Sequence, residues 1–406
     1  MAFSTFSLSI TIFLMILQVL WNTSVYANGC YTSIFSFGYS LPDTGNIKQI
    51  ASITHTYVEA LRWPYGETFF HQPTVRASNG RLLIDFLSKS LGLPLIPPFL
   101  HDKEDDKVVE FGQGVNYVVV AATALDTSFH EARGTVNAAT NVSLGDQLRW
   151  FKQSLPFICS NTSDCRNLIG RSLILMGEIG GTDYNNPIVG NKPIDQLNSN
   201  VPLVIDTIIS AVSEIINMGA QTLVVPGTFP IGCSGMIPTS HFFEKEEEYG
   251  NRTSCLINFN RLVEYHNELL QSKLNHLREL HPNVTIIYAD YYNAAMQIIR
   301  SPDKFGFTKM VLKSCCGGGG PYNYNPLAQC GYAFATTCDD PNMYAYWDGI
   351  HFTEAAYLII FKSLFQGPYT TPQFNLLCPS STLKVRVGLS GSQMQHKCNR
   401  DLLELE

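Results

Sequence analysis

Five short apolar segments, separated from one another by stretches of helical periodicity, constrain the fold of this chain most strongly. They are rich in β-branched or aromatic residues and span 33–37, 117–121, 173–176, 222–225 and 284–289. Segments of this kind predict buried parallel strands. The alternation of strand and helix predicts a parallel sheet covered by helices on both faces. In such sheets, sites form at the carboxyl ends of the strands.

Two helices are predicted between and after the later strands. From 201 to 218, isoleucine and valine recur at helical spacing, and Gly219 can close the end of that helix. A second periodic stretch, 257–280, is followed by Pro282, which predicts its termination.

The N-terminus carries an almost unbroken apolar run from 6 to 20, followed by a small-residue site at 25–27. This pattern predicts a signal peptide over about 1–27 and a secreted, extracellular protein. A membrane anchor is the alternative, but the run is shorter than the roughly 20 residues of a span. No later stretch is comparably apolar, so no transmembrane anchor is expected. We predict one domain over 28–378 and a flexible tail over 379–406.

Eleven cysteines in an exported chain favour disulfides over metal binding. The close pairs Cys159 with Cys165 and Cys233 with Cys255 are plausible partners, although spacing does not fix the connectivity. Because the count is odd, one thiol is left without a partner, and Cys398 could form a disulfide with the otherwise odd thiol. Zinc is the competing interpretation, but no CxxC pair with a histidine cluster exists, so no metal is expected. Four sequons predict N-glycosylation, at Asn141, Asn161, Asn251 and Asn283.

The charge pattern and the glycine run exclude other partners. The formal net charge is −7 without a long basic run, which argues against nucleic acid. The run 317–320 follows Cys315 and Cys316, and it lacks the Lys and Ser/Thr of a phosphate-binding loop. It therefore predicts a disulfide-pinned loop, and no cofactor is expected.

Two short motifs carry candidate chemistry. Ser40 follows a glycine and Tyr39 at the exit of the first predicted strand, where a hydroxyl can be exposed above a sheet. Near the other end, Asp348 and His351 have the spacing that lets a carboxylate orient an imidazole as general base. Alone, each motif is more typical of a turn or helix cap.

Together these elements resemble the GDSL esterase/lipase family (SGNH hydrolases), and specifically its secreted plant branch. The resemblance covers about 30–378 and rests on the motifs at 35–46, 64–70, 79–82, 177–181, 226–233 and 348–351. It implies an α/β fold, a three-layer α/β/α sandwich around a mostly parallel five-stranded sheet of flavodoxin-like type. It also implies Ser40 as nucleophile, His351 as base and Asp348 as the acid that orients it.

The resemblance further implies an oxyanion hole made by the backbone N–H of Ser40 and by the positions of Ala121 and Thr182. The family pattern differs at three places: an aspartate where Tyr39 stands, a glycine where Ala121 stands and an asparagine where Thr182 stands. A positive φ at Ala121 would cost energy. The threonine hydroxyl is shorter than a carboxamide, and loss of one donor costs about 10² to 10³ in turnover.

The predicted function is therefore a serine carboxylic-ester hydrolase acting on a small-molecule or lipid ester through an acyl-enzyme. One alternative is a weakened pseudoenzyme or binding protein that retains the fold. A second is an acyltransferase, in which an alcohol intercepts the acyl-enzyme. The aromatic cluster Tyr65, Phe69, Phe70 and His71 could line an acyl pocket or pack a loop. The substrate and the oligomeric state stay open.

Overall fold

The computed structural model describes residues 30–101, 111–137, 139–241, 249–250, 253–308 and 310–378. The predicted signal peptide, the predicted tail, Asn251 and Cys398 lie outside these residues. The described residues form eight strands: β1 Ser33–Phe37, β2 Gly114–Asn116, β3 Ser172–Met176, β4 Thr222–Pro226, β5 Thr285–Ala289, β6 Cys316–Gly317, β7 Thr336–Thr337 and β8 Thr370–Thr371.

The central sheet has the strand order β2-β1-β3-β4-β5-β8. Its first five strands are parallel, and β8 pairs antiparallel with β5. This confirms the mostly parallel sheet and adds a sixth, two-residue strand. The order β2-β1-β3-β4-β5 is the doubly wound order of flavodoxin-like folds. A separate antiparallel ladder joins β6 to β7.

Twelve α-helices surround the sheet in the described part of the chain: α1 Asn46–Thr54, α2 Leu83–Ser90, α3 Thr127–Glu131, α4 Leu144–Ile158, α5 Thr162–Gly170, α6 Gly181–Val189, α7 Ile194–Met218, α8 Met236–Ser240, α9 Ile257–Leu280, α10 Tyr291–Arg300, α11 Glu354–Phe361 and α12 Phe374–Leu377. Helices α4, α7 and α9 pack together on one side, and α2, α10 and α11 pack together on the other. Strand side chains alternate between these two layers.

Two predicted boundaries are wrong. The second strand ends at Asn116, so the apolar residues 117–121 form a loop, of which 117–119 are buried and 120–121 are half-buried. There, the Asn46 amide donates to the carbonyls of Asn116 and Val118, which takes up groups that a strand would have paired. Helix α7 begins at Ile194 rather than 201 and continues through Pro202. The helix 257–280 has the predicted bounds.

Helix α7 is the one described helix that is long and apolar enough to cross a membrane. Its apolar face, which includes Val204, Ile208 and Val212, is fully packed into the protein core. This packing explains the composition, because the helix lies between α9, α4 and α6 and contacts all three.

All ten described cysteines form disulfides: Cys30–Cys378, Cys159–Cys165, Cys233–Cys255, Cys315–Cys338 and Cys316–Cys330. The two expected close pairs are confirmed, and the last two bridges pin the glycine run as predicted. The Cys30–Cys378 bridge joins the two ends of the described chain. The sequon residues Asn141, Asn161 and Asn283 are all exposed.

Candidate active site

Ser40 lies three residues beyond β1 and is almost fully buried, with 4% of its surface exposed. The turn before it depends on Gly38, whose φ is +150° and where a Cβ atom would approach the Glu178 carbonyl to 2.7 Å. The Gln147 side chain of α4 holds this glycine from both sides. Its Oε1 accepts from the Gly38 N–H at 2.8 Å, and its Nε2 donates to the Gly38 carbonyl at 2.7 Å.

His351 brings the second motif to Ser40 from 311 residues away. The Ser40 hydroxyl lies 2.8 Å from His351 Nε2, and His351 Nδ1 lies 2.8 Å from Asp348 Oδ2. Since an ionised carboxylate can only accept, Nδ1 donates to Asp348 and Nε2 is left to accept from the serine hydroxyl. The three predicted residues therefore form one continuous hydrogen-bonded chain.

The Asp348 carboxylate also stabilises the turn 348–351, in which both Asp348 and His351 lie. Its Oδ1 accepts from the backbone N–H groups of Ile350 and His351 at 3.0 and 2.8 Å. Burial alone would raise the pKa of Asp348, but the charge of His351 and these hydrogen bonds outweigh burial and hold the pKa below its usual value. The carboxylate is thus ionised and fixed beside the imidazole.

Tyr65 is a further partner of the acid. Its hydroxyl donates to Asp348 Oδ2 at 2.8 Å, on the oxygen that also accepts from His351. Burial, followed by the negative charge of Asp348, raises the pKa of Tyr65 well above its ordinary value, so the phenol remains a donor. Phe69 and Phe70 instead cover the guanidinium groups of Arg81 and Arg76.

The loop carrying Asp348 and His351 is anchored to the disulfide-bonded region. The Cys316 N–H donates to the Trp347 carbonyl at 2.7 Å, and the Trp347 N–H donates to the His351 carbonyl at 2.7 Å. Beyond the loop, the first residue of α11, Glu354, donates its N–H to Asn79 Oδ1 at 2.8 Å. The loop that carries Asp348 and His351 is therefore fixed at both ends.

The segments after β2 and β3 reach the same sheet edge as Ser40, because β1 pairs in parallel with both strands. Ala121 follows β2 and has a φ of +59°, in the left-handed region that glycine tolerates best. Two side chains hold this segment. Asp43 Oδ2 accepts from the Val120 N–H at 2.8 Å, and Asn137 Nδ2 donates to the Ala121 carbonyl at 2.6 Å.

Thr182 is the second residue of α6 and is buried, with 4% exposure. No side-chain hydrogen bond of Thr182 is found among the described residues. Its neighbour Asp183 ties α6 to the loop after β2, because the carboxylate accepts from the N–H groups of Ala124 and Leu125 at 2.7 and 3.0 Å. His130 Nε2 lies 3.0 Å from the same carboxylate.

Comparison with known proteins decides the family. The model of the GDSL-like lipase/acylhydrolase family matches residues 34–364. The chain belongs to this family. It is 49% identical over 354 residues to an Arabidopsis thaliana GDSL esterase/lipase, covering 87% of this chain and 90% of that one. It is also 45% identical over 349 residues to a Brassica napus sinapine esterase, covering 86% and 88%.

As a GDSL hydrolase, this chain is notable for what lies beneath its serine turn. Tyr39 is buried, and its ring packs so closely on Gly181 that a Cβ atom there would lie 2.8 Å from the phenol oxygen. Glu178 is buried close by, and neither of its carboxyl oxygens makes a hydrogen bond among the described residues. Burial raises the pKa of Glu178 to about 8. The Phe229 N–H and the hydroxyls of Thr228 and Tyr39 lie near enough to oppose this shift, but none of them has the geometry of a hydrogen bond to the carboxyl.

Two cavities lie close to the serine turn of this GDSL hydrolase. One is bordered by Asp348 and His351. The other borders Leu41 and Pro42, directly after Ser40, and is lined mainly by apolar side chains together with Glu178. No group of three or more potential metal ligands occurs in the described ranges.

The contacts by which several residues organise the GDSL site were not predicted from sequence. Tyr65, Asp43 and Asp183 all lie inside or beside the motifs that carried the family resemblance. The sequence feature that could have pointed to them is a single polar side chain in a short motif near the end of a strand. Asp43 illustrates why this is insufficient: its carboxylate also accepts from the N–H groups of Gly45 and Asn46, which is an ordinary turn pattern.

Proposed function

We propose that this chain is a secreted carboxylic-ester hydrolase that works through an acyl-enzyme on Ser40. The observation that carries the proposal is the continuous chain Ser40–His351–Asp348, with both contacts at 2.8 Å. This is the arrangement that activates a serine hydroxyl through a histidine base and a buried acid.

In the proposed reaction, Ser40 Oγ attacks the ester carbonyl while its proton passes to His351 Nε2. The ester C–O bond then breaks, and His351 returns the proton to the leaving alkoxide, which departs as the alcohol. A water molecule, deprotonated by His351, then attacks the acyl carbonyl. The bond between this carbon and Ser40 Oγ breaks, His351 returns the proton to Oγ, and the acid is released. Asp348 stays ionised and stabilises the imidazolium in both steps, for which its lowered pKa is suited.

The oxyanion of each tetrahedral intermediate would be bound by the backbone N–H groups of Ser40 and Ala121 and by the Thr182 side chain. The positive φ of Ala121 supports this role, since it is a left-handed conformation that the glycine of the family pattern would adopt without strain. A threonine hydroxyl reaches less far than a carboxamide, so we propose a reduced turnover.

Covalent labelling tests the proposal directly. Purified protein is treated with a fluorophosphonate probe and assayed with p-nitrophenyl acetate and butyrate. We expect labelling and release of p-nitrophenol, both lost in Ser40→Ala. Ser36→Ala is the matched control, because Ser36 is a buried serine of β1 that takes no part in the hydrogen-bonded chain. Turnover that survives in Ser40→Ala would sink the proposal.

A catalytically weakened binding protein is the second candidate, and the specific observation that favours it is the short Thr182 side chain. It predicts that Ser40 is not labelled by the probe. Acyl transfer is distinguished by product: an added acceptor alcohol would yield its ester in addition to the free acid.

A further inference from the structure

Tyr65 begins a segment that supports the loop 348–354, in which the acid and the base lie. Further along this segment, the Ser78 hydroxyl donates to the Phe352 carbonyl of the loop at 3.0 Å. That hydrogen bond holds only the backbone of the loop. The Tyr65 hydroxyl, by contrast, donates to the Asp348 carboxylate at 2.8 Å. The same segment therefore makes one contact that supports the loop and another that reaches the acid itself.

The Asp348 carboxylate accepts four hydrogen bonds, two on each oxygen. Its Oδ1 accepts from the backbone N–H groups of Ile350 and His351. Its Oδ2 accepts from His351 Nδ1 and from the Tyr65 hydroxyl, both at 2.8 Å. A carboxylate has about four lone-pair positions, so these donors saturate it. The imidazole thus shares its own acceptor oxygen with a phenol.

The Tyr65 hydroxyl is fixed in place and uncharged. Tyr65 is 3% exposed, and its ring meets that of Trp347 edge-on, with 6.0 Å between the ring centroids. Burial, followed by the negative charge of Asp348, raises the pKa of Tyr65 well above its ordinary value, so the hydroxyl keeps its proton. The phenol is therefore a lasting donor to Oδ2, and the packing that holds its ring does not depend on the hydroxyl.

The other titratable groups near the acid act on it through space. Burial raises the pKa of Glu59; its own backbone opposes the rise, Asp348 adds to it and His351 opposes it. Burial also raises the pKa values of Tyr324 and Tyr357, and the charge of Asp348 adds to both shifts. Among the described residues, none of these three groups makes a hydrogen bond to the Asp348 carboxylate. Direct side-chain contact with this carboxylate is thus limited to the imidazole and one phenol.

A donor to a carboxylate stabilises its charge and weakens its attraction for a neighbouring proton. The hydrogen bond to Oδ2 therefore reduces the stabilisation that Asp348 gives to a protonated imidazole, and the base releases its proton more readily. We propose that Tyr65, acting through Asp348, keeps His351 neutral and able to accept the serine proton in mildly acidic solution. Tyr65 contacts the acid and not the reacting atoms, so it is a positioning residue. The inference rests on the proposed ester hydrolysis.

The pH profile of Tyr65→Phe tests the inference, because this change removes the hydroxyl and keeps the ring packed on Trp347. The kcat/KM for p-nitrophenyl acetate is measured from about pH 5 to about pH 9. We expect the acidic limb of the profile to move to higher pH by about 0.5 to 1 unit, which is a loss of about 3- to 10-fold on that limb, and the plateau to change less. A merely structural role would lower kcat/KM by the same factor at every pH.

Ser78→Ala is the matched control, since it removes a hydrogen bond from the same segment to the same loop without touching the acid. Its acidic limb should stay at the pH of the parent protein. An acidic limb at the same pH in the parent and in Tyr65→Phe would overturn the inference, as would an equal shift in Ser78→Ala.

If the parent hydrolyses no ester, the proposed function fails, and a titration still tests Tyr65. The protein is labelled with ¹³C at histidine Cε1, and the His351 signal is identified by its absence from His351→Gln. Its chemical shift is followed by NMR against pH in the parent and in Tyr65→Phe. We expect the midpoint of this titration to rise by about 0.5 to 1 pH unit in the variant. Equal midpoints would reject the role of Tyr65.

Discussion

Ser40 lies between two differently supported parts of the site. On one side, Asp348 and His351 are held by several hydrogen bonds of their own. On the other side, the segments that carry Ala121 and Thr182 are held by side chains of other residues. Asp348 uses one oxygen for two backbone N–H groups and the other for His351 and Tyr65. Ala121, by contrast, owes its position to Asp43 and Asn137, which lie outside the hydrogen-bonded chain.

This difference separates two requirements of the proposed chemistry. Proton transfer needs a few atoms in contact, and the hydrogen bonds around Asp348 and His351 specify them. Charge stabilisation needs donors aimed at a position that is occupied only during reaction. At Thr182 the local fold is secured by Asp183, while the donor that we propose there is a short hydroxyl. A backbone segment can therefore be firmly held even though the side chain it presents is a poor hydrogen-bond donor.

The largest effect is expected from a change on the side of the site that carries Asp348 and His351. Asp348→Asn keeps the shape of the side chain but removes the charge that stabilises the imidazolium, and we expect turnover of p-nitrophenyl acetate to fall about 10⁴-fold. Asp206→Asn is the control, since Asp206 is an exposed residue paired with Lys273 on the surface. If turnover were equal in the two variants, the acid would have no role in the reaction.

A stronger donor at Thr182, on the other side of Ser40, should raise turnover, and by a smaller factor. Thr182→Asn supplies a longer donor, and we expect kcat to rise by up to about 10²-fold. Thr182→Val keeps the volume without the hydroxyl, so it should lower kcat if the threonine donates at all. Kinetics of both variants on p-nitrophenyl butyrate check this prediction. An unchanged kcat in both would show that this position does not limit the reaction.

Much of this arrangement could be predicted from the sequence, and the parts that could not have physical reasons. Four of the five strand segments and the helix 257–280 follow from periodicity, because a buried strand and a long amphipathic helix leave strong patterns. The segment 117–121 is apolar for another reason. Tyr117 stacks on Phe37 and packs edge-on against Phe151, so it is a buried loop residue.

In the candidate active site, too, local sequence patterns predict some residues and not others. Ser40, Asp348 and His351 could be nominated because their residue types and motif spacing restrict the chemistry. The contact of Tyr65 with Asp348 could not be predicted, since it depends on the fold bringing two residues together that lie 283 positions apart in the sequence. No local pattern records such a contact.

Glu178 allows the buried region beneath the serine turn to be tested by pH. The pKa of this carboxyl is raised to about 8, from 4.5 in a solvated chain. The unfolded chain therefore releases the proton first, and stability falls as the pH rises between these two values. Glu178→Gln has no proton to lose, so it should be more stable than the parent by a few kcal/mol at about pH 9 and similar at about pH 4.

Melting temperatures of both proteins across this pH range measure the effect. Glu131→Gln, an exposed position, should follow the parent curve at every pH. Parallel curves for the parent and Glu178→Gln would mean that the folded protein does not retain the proton.

The smallest effect expected is on the stability of the loop at Ala121. An alanine at a φ of +59° is strained by about 1 kcal/mol, and glycine relieves this strain while adding freedom to the unfolded chain. We expect Ala121→Gly to raise the free energy of unfolding by up to about 1 kcal/mol, seen as a higher midpoint in urea at an unchanged slope. Ala122→Gly is the matched control. Ala122 is fully buried and is absent from the left-handed positions, so glycine there should destabilise the protein. Equal losses at both positions would contradict the strain at Ala121 and would leave the oxyanion side as firmly held as the acid and base.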